Sequence, residues 1–230
     1  MSERRTARGL TVEALVIVVS ILAAFTVDAW WDGRQESRRE RAVLEGILDD
    51  FRQSKEDLEF KSGVAEWIAT DSRAVLSRVR AAPEGSSIMA STRELAAVVG
   101  VPTYDANTAT LDAAVSSGEI ELVRSRAIRE ALSSWLRAYR DNAEDERAIR
   151  DLGHTSLFPA LSEAARLGDV FDAALEPPEE GGPRTVRVDR RLEGLLALRV
   201  FYADFVRDGM ADLGARQTAL IGLIEEELAR

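Results

Sequence analysis

The stretch LTVEALVIVVSILAAFTVDAWWDGRQESRRERAVLEGILDDF, residues 10–51, decides the fold. From Ala14 to Val27 it carries no charge; Asp28 and the pair Trp30–Trp31 follow, and then charged residues dominate. Between residues 25 and 41 only Gly33 favours a turn. Leu44, Ile47, Leu48 and Phe51 recur at i, i+3, i+4 and i+7, and Leu58, Ala65, Ile68, Val75 and Val79 continue the stripe. No proline interrupts before Pro83. One helix is therefore expected to run from the apolar segment straight into a long charged one, with Gly63 as the place for a bend.

Residues 10–31 would form a helix of roughly 33 Å, against a hydrocarbon core of roughly 30 Å. The segment is read as a transmembrane helix. Asp28, Trp30, Trp31 and Arg34 are its interface anchors, and Arg38, Arg39 and Arg41 lie beyond in headgroups or water. A cleaved signal peptide would need a small-residue site, and Val27-Asp28-Ala29 followed by Trp30 is a poor one. A buried core helix would not call for such sharp edges or the tryptophan pair. The arginines flanking the segment do not decide its orientation. Its resemblance to an uncleaved signal anchor puts the short N-terminal tail in the bacterial cytoplasm and the helical body in the periplasm, held at the inner membrane.

At about 100° per residue, Glu13, Ile17, Ser20, Ala24 and Trp31 fall on one narrow stripe of this helix. Ser20 and Ala24 form a small-xxx-small pair of the kind that lets two membrane helices approach closely. In one reading this stripe docks a partner helix, with Glu13 hydrogen-bonded or protonated inside it. In the other, Glu13 and Asp28 only mark the two boundaries of the span.

The order of Glu13, an apolar run, Val27-Asp28-Ala29-Trp30-Trp31 and an arginine-rich helix resembles a large family of uncharacterised bacterial single-span proteins, a domain of unknown function. A second block is similar to that family: TATLDAAVSSGEIELVRSRAIREALSSWLRAY, residues 108–139, through Leu111, Ser117, Gly118, Leu122, Ile128, Leu132 and Tyr139. Ala29 departs from the family pattern, where a polar residue is usual, and the last third of the chain matches nothing in it. The resemblance implies architecture and location, and no activity.

Composition sets limits of its own. Of 230 residues, 46% are hydrophobic and 30% charged, as in chains that fold. The net charge of −10 lies entirely beyond residue 31, because Arg4, Arg5 and Arg8 balance Glu3, Glu13 and Asp28. An acidic body argues against nucleic acid as a partner. The chain has no cysteine, which excludes disulfides, thiolate metal sites and cysteine nucleophiles, and its one histidine is His154.

Along the body, Ala82-Pro83-Glu84-Gly85 reads as a turn. Ser91-Thr92-Arg93-Glu94 is a capping box for a short helix that Gly100 stops. A helix from about Thr108 is expected to end at Gly118 in the left-handed region. Ser125 caps a long helix with Ile128, Leu132, Trp135, Leu136 and Tyr139 on its apolar face, and residues 156–167 form another with Pro159 in its first turn. EPPEEGGP, within residues 176–188, is the clearest linker, and TVRV in it is too short a strand to matter. A last helix, Asp189 to Leu228, carries Leu192, Leu195, Leu196, Phe205, Val206, Met210, Leu213, Leu220, Ile224 and Leu228 at helical spacing. The expected division is a tail at 1–9, the span at 10–31, a helical stalk and bundle at 32–175, the linker at 176–188 and the terminal helix at 189–230. The fold class is all-α: a transmembrane helix continuing into an antiparallel bundle of long helices.

No motif carries chemistry. His154 has no partner at ligand spacing, and the acidic clusters, Asp141 to Glu146 among them, lack calcium-loop spacing and read as solvated faces. No cofactor, metal or catalytic residue is expected. The best candidate contact patch in the body is Tyr104, Asp105, Asn107, Ser117 and Gly118, which a buried helix-hairpin corner explains equally well. The expected function is a non-enzymatic, membrane-anchored accessory or scaffold subunit. Its partners are the lipid bilayer and either other integral membrane subunits or copies of itself. An energy-transducing complex, respiratory or photosynthetic, is one fitting host, though no residue specifies it. The alternative is an extracytoplasmic ligand-sensing bundle that signals through a partner.

Overall fold

In a computed structural model the chain is described over residues 3–168, 170 and 182–230, with side chains from residue 18 onward. The first helix, α1, spans Glu3–Ala81 as one unbroken element. The helix continues through Gly63 without a break. It closes with Arg78 and Arg80 in its last turn, where cations suit the helix dipole, and Pro83 follows.

The turn after α1 leads into β1, Ser87–Ser91, and then α2, Thr92–Val99. The Ser91 capping box is present: its side chain accepts from Glu94 N, and the Glu94 carboxylate accepts from Ser91 N. α3, Ala109–Ser117, ends at Gly118 in the left-handed region with φ 78°. A single 3₁₀ turn, Glu119–Leu122, precedes α4, Arg126–Leu152, capped by Ser125. α4 does not stop at Gly153. A π-turn, Gly153–Leu157, carries it into α5, Phe158–Ala164, so the helix expected at 156–167 is the end of a longer run. The π-turn sits where Pro159 would otherwise be driven against the carbonyl four residues back. α6, Arg190–Leu228, starts at Asp189, whose side chain accepts from Leu192 N.

β2, Pro183–Arg187, corrects the sequence reading. The segment assigned to linker pairs antiparallel with β1, Ile88 opposite Val186 and Ala90 opposite Arg184. Ile88, Ala90 and Val186 face the core. This ribbon ties the end of α1 to the start of α6. The rest of the linker, 176–181, lies outside the described residues.

α1 and α6 run antiparallel: Arg80 pairs with Glu193, Arg73 with Asp204 and Arg52 with Glu225, while Arg41 donates to Leu228 O. α4 packs on α6. The all-α bundle of long helices is therefore observed, with a small two-stranded ribbon added. Two cores fill it. One joins Ile68, Val75 and Val79 of α1 to α2, Leu157, Leu161 and the first half of α6. The other joins Leu44, Ile47 and Phe51 to Leu111, Trp135, Met210, Leu213 and Leu220. Phe205, expected on the apolar stripe of α6, is instead 49% exposed and meets Phe201 edge-on at 4.7 Å. The stripe runs through Arg199 and Gln217, both buried.

The expected transmembrane span at 10–31 is not supported on the described residues, among which no helix is long and apolar enough to cross a membrane. Its first part, 10–17, lies outside those whose side chains are described, and what remains is too short to span.

Candidate functional site

Two regions stand out: the projecting N-terminal part of α1 and a cleft between α4 and the loop before α3. Every residue from Val18 to Asp32 is exposed, and among the described side chains of α1 the first buried one is Glu40. Val18, Val19, Ile21, Leu22, Phe25, Val27, Trp30 and Trp31 are each at least half exposed. Of the stripe singled out in the sequence, Ser20, Ala24 and Trp31 lie on this projecting helix, while Glu13 and Ile17 fall outside the described side chains. Among the anchors, Asp28 is exposed, and the Arg34 guanidinium lies 5.5 Å from the Trp30 ring centroid, a cation–π distance. Arg38 joins Trp31, Arg34 and Gln35 around a groove of about 250 Å³.

The contact patch expected in the body is divided. Tyr104 and Asp105 line the cleft, whereas Ser117 and Gly118 close the far end of α3. Asn107 is structural: its Nδ2 donates to Asp50 Oδ1 at 3.0 Å and its Oδ1 accepts from Ala109 N. Asp50 Oδ2 accepts from Thr110 N at 2.9 Å. It supplies the capping that Thr108 does not provide to α3. Gly46 permits this close approach, since a Cβ there would meet Thr110 Cγ2 at 2.7 Å.

The cleft holds about 640 Å³ and is lined by Thr103, Tyr104, Asp105, Tyr139, Glu146 and three arginines, 140, 147 and 150. Tyr104 meets Tyr139 edge-on at 6.1 Å in its wall, and behind them an aromatic stack continues into the core, with Tyr139 parallel to Trp135 at 5.3 Å and Trp135 against Phe51 at 4.6 Å. Glu146 is buried to 5% exposure. Its Oε1 accepts from Asn142 Nδ2 at 2.7 Å and from Tyr104 N at 3.2 Å. Burial pushes its pKa up to about 7, against the lowering effect of those hydrogen bonds and of the Arg150 charge. Burial also raises both tyrosines, Tyr139 further through Asp105 and Glu146. Tyr104 donates to Gln217 Oε1 at 3.4 Å, and Gln217 Nε2 donates to Phe51 O at 2.7 Å. One polar chain thus links the cleft to α1 and α6.

Asn142 and Glu146 overturn the reading of 141–146 as a solvated face. They continue the stripe of Ile128, Leu132, Trp135 and Tyr139 at helical spacing towards the buried Ile149. Their positions, rather than their polarity, were the signal. Of the other acids in the cluster, Asp141 and Glu144 are exposed and Asp145 is half-buried beside α6, where burial followed by repulsion from Asp141 and Glu144 raises its pKa. His154 is exposed and edge-on to Phe158 at 5.4 Å. Among the described residues no group of acids and histidine could hold a metal ion.

No protein-family model matches the chain, and no curated protein or solved structure matches it either.

Proposed function

We propose that the protein is a non-enzymatic accessory subunit, anchored in a bacterial inner membrane by a single span at residues 10–31, with its helical body in the periplasm. The observation that carries this reading is the run of exposed apolar side chains from Val18 to Trp31, which no described residue of the chain covers. Exposure on this scale calls for lipid or another protein. Membership in the uncharacterised single-span family belongs to the same proposal and rests on the Val27–Trp31 exit and the 108–139 block. In this reading Glu13, Ile17, Ser20, Ala24 and Trp31 face a neighbouring membrane helix, and Arg34, Arg38 and Arg39 meet lipid phosphates.

Extraction in mild detergent, followed by identification of chains that co-purify in fixed stoichiometry, tests the subunit role. A stable partner or a defined homo-oligomer is expected, and a clean monomer would overturn it. Orientation is read separately by labelling single cysteines at Ser2 and Glu226 in intact cells, since the native chain has none. Only the second should react from outside the inner membrane. The sensing role is a second reading, favoured by the Tyr104–Tyr139–Glu146 cleft.

A further inference from the structure

Glu146 is deeply buried, yet only Oε1 is engaged; among the described residues its Oε2 has no hydrogen-bond partner, and the residue lines the cleft. Arg140, Arg147 and Arg150 recur on one side of α4 and border the same space. None of the three has a carboxylate within 4 Å among the described residues, although Asp105 and Glu144 share the cleft with them. On α6, by contrast, Arg207 and Arg216 each have a carboxylate within 4 Å. Arginines and an acid that are not ion-paired with one another, set beside two tyrosine rings, form a complementary surface for a small molecule that carries both signs itself.

We propose that this cleft binds a small zwitterion, a free amino acid or a similar amine-bearing carboxylate. Its carboxylate lies on the guanidinium groups of Arg140, Arg147 and Arg150, and its ammonium group donates to Glu146 Oε2. Tyr139 supplies a ring edge and a hydroxyl, whose oxygen already accepts from Ala106 N, leaving its proton to donate. The proposal rests on the ligand-sensing reading of the cleft.

The charged and titratable groups around the cleft that Glu146 lines are Asp105 and Tyr104 on the loop and Tyr139, Arg140, Glu144, Arg147 and Arg150 on α4. Asp57 of α1 acts on Tyr104 from behind, and α6 presents the neutral Gln217 there. An ammonium group at Oε2 favours the ionised carboxylate, so binding near pH 7 releases protons. A plain anion on the arginines would instead favour protonated Glu146 and take protons up.

Calorimetry on the full-length chain in detergent, in two buffers of different ionisation heat, separates these cases. The probes are the protein amino acids, succinate as a carboxylate without an amine, and putrescine as an amine without a carboxylate. At least one amino acid should bind with a Kd below about 1 mM and release protons. Glu146→Gln and Arg147→Gln should each weaken that binding by about tenfold or more, with both variants melting as cooperatively as the parent. Succinate binding equally tightly with proton uptake, or putrescine binding alone, overturns the zwitterion while leaving a ligand-sensing cleft. No binding by any probe overturns both.

Discussion

Glu146 is held in its protonated form more firmly by the fold than by water. Its folded pKa of about 7 lies above the ordinary 4.5. The folded state therefore binds more protons than the unfolded chain between those values, and stability falls as pH rises through that window. Below about pH 4.5 the contribution is fully present; above about pH 7 it is gone. Glu146→Gln keeps an oxygen for Tyr104 N and Asn142 Nδ2 and removes the buried charge. Urea unfolding should show the variant more stable than the parent at pH 8 by about 1–3 kcal/mol, with the fall between pH 5 and 7 reduced. An unchanged slope would mean that another group titrates there. Arg199 presents the opposite problem, since it is 2% exposed and among the described residues no carboxylate accompanies it. Its NH2 donates to Ala97 O at 2.9 Å and to Gly100 O, satisfying carbonyls at the C-terminal end of α2. Arg199→Ala strands those carbonyls and opens a cavity, which should cost about 3–5 kcal/mol. Arg199→Met fills the space and should cost less, about 1–3 kcal/mol. Chemical denaturation of both variants reads the difference, and equal losses would argue against the cavity as a contributor.

At the scale of elements, helix termini were legible because they depend on local chemistry. Ser91, Ser125 and Asp189 cap the helices their spacing announces, and Gly118 ends α3 in the left-handed region. The buried polar positions are not legible in the sequence, because only hydrophobic residues mark a stripe there. Asn142 and Glu146 on α4, and Arg199 and Gln217 on α6, occupy core spacing with polar side chains that only partners distant in sequence can satisfy. The β1–β2 ribbon was missed for a related reason. SIMAS and PRTVR are five residues each, and their pairing across about a hundred residues has no local signature. Of the candidate contact patch, Tyr104 and Asp105 line the cleft, while Ser117 and Gly118 lie at the end of α3, a separation that only the tertiary fold reveals. The α1–α3 contact depends on one missing methyl group. Gly46→Ala places a Cβ 2.7 Å from Thr110 Cγ2 and 3.3 Å from Thr110 Oγ1. It should lower stability by about 1–3 kcal/mol. Adding Thr110→Ser removes the closer atom and should recover at least half of the loss. A thermal-denaturation double-mutant cycle measures that coupling, and simple additivity would show that the clash is relieved elsewhere.

Over the whole molecule, α1 serves two roles in succession. At the usual rise its 79 residues extend about 118 Å, whereas α6, 39 residues long, covers only about 58 Å of it. The covered part ends where Arg41 meets Leu228 O, ten residues or about 15 Å beyond Trp31. The body therefore begins just past the segment proposed to lie in lipid. Because burial among the described side chains of α1 starts only at Glu40, the body's two cores take nothing from residues 18–31. A variant that starts at Asp32 should remain dissolved without detergent and melt within about 3 °C of the full chain in detergent. The full chain should stay with the membrane fraction through alkaline carbonate washing, which releases proteins held only by surface charge. If the full chain instead washes off, or is a monodisperse monomer without detergent, the apolar run is not in lipid. If the shortened chain unfolds, residues 1–31 stabilise the body through contacts that the exposed, projecting helix does not make.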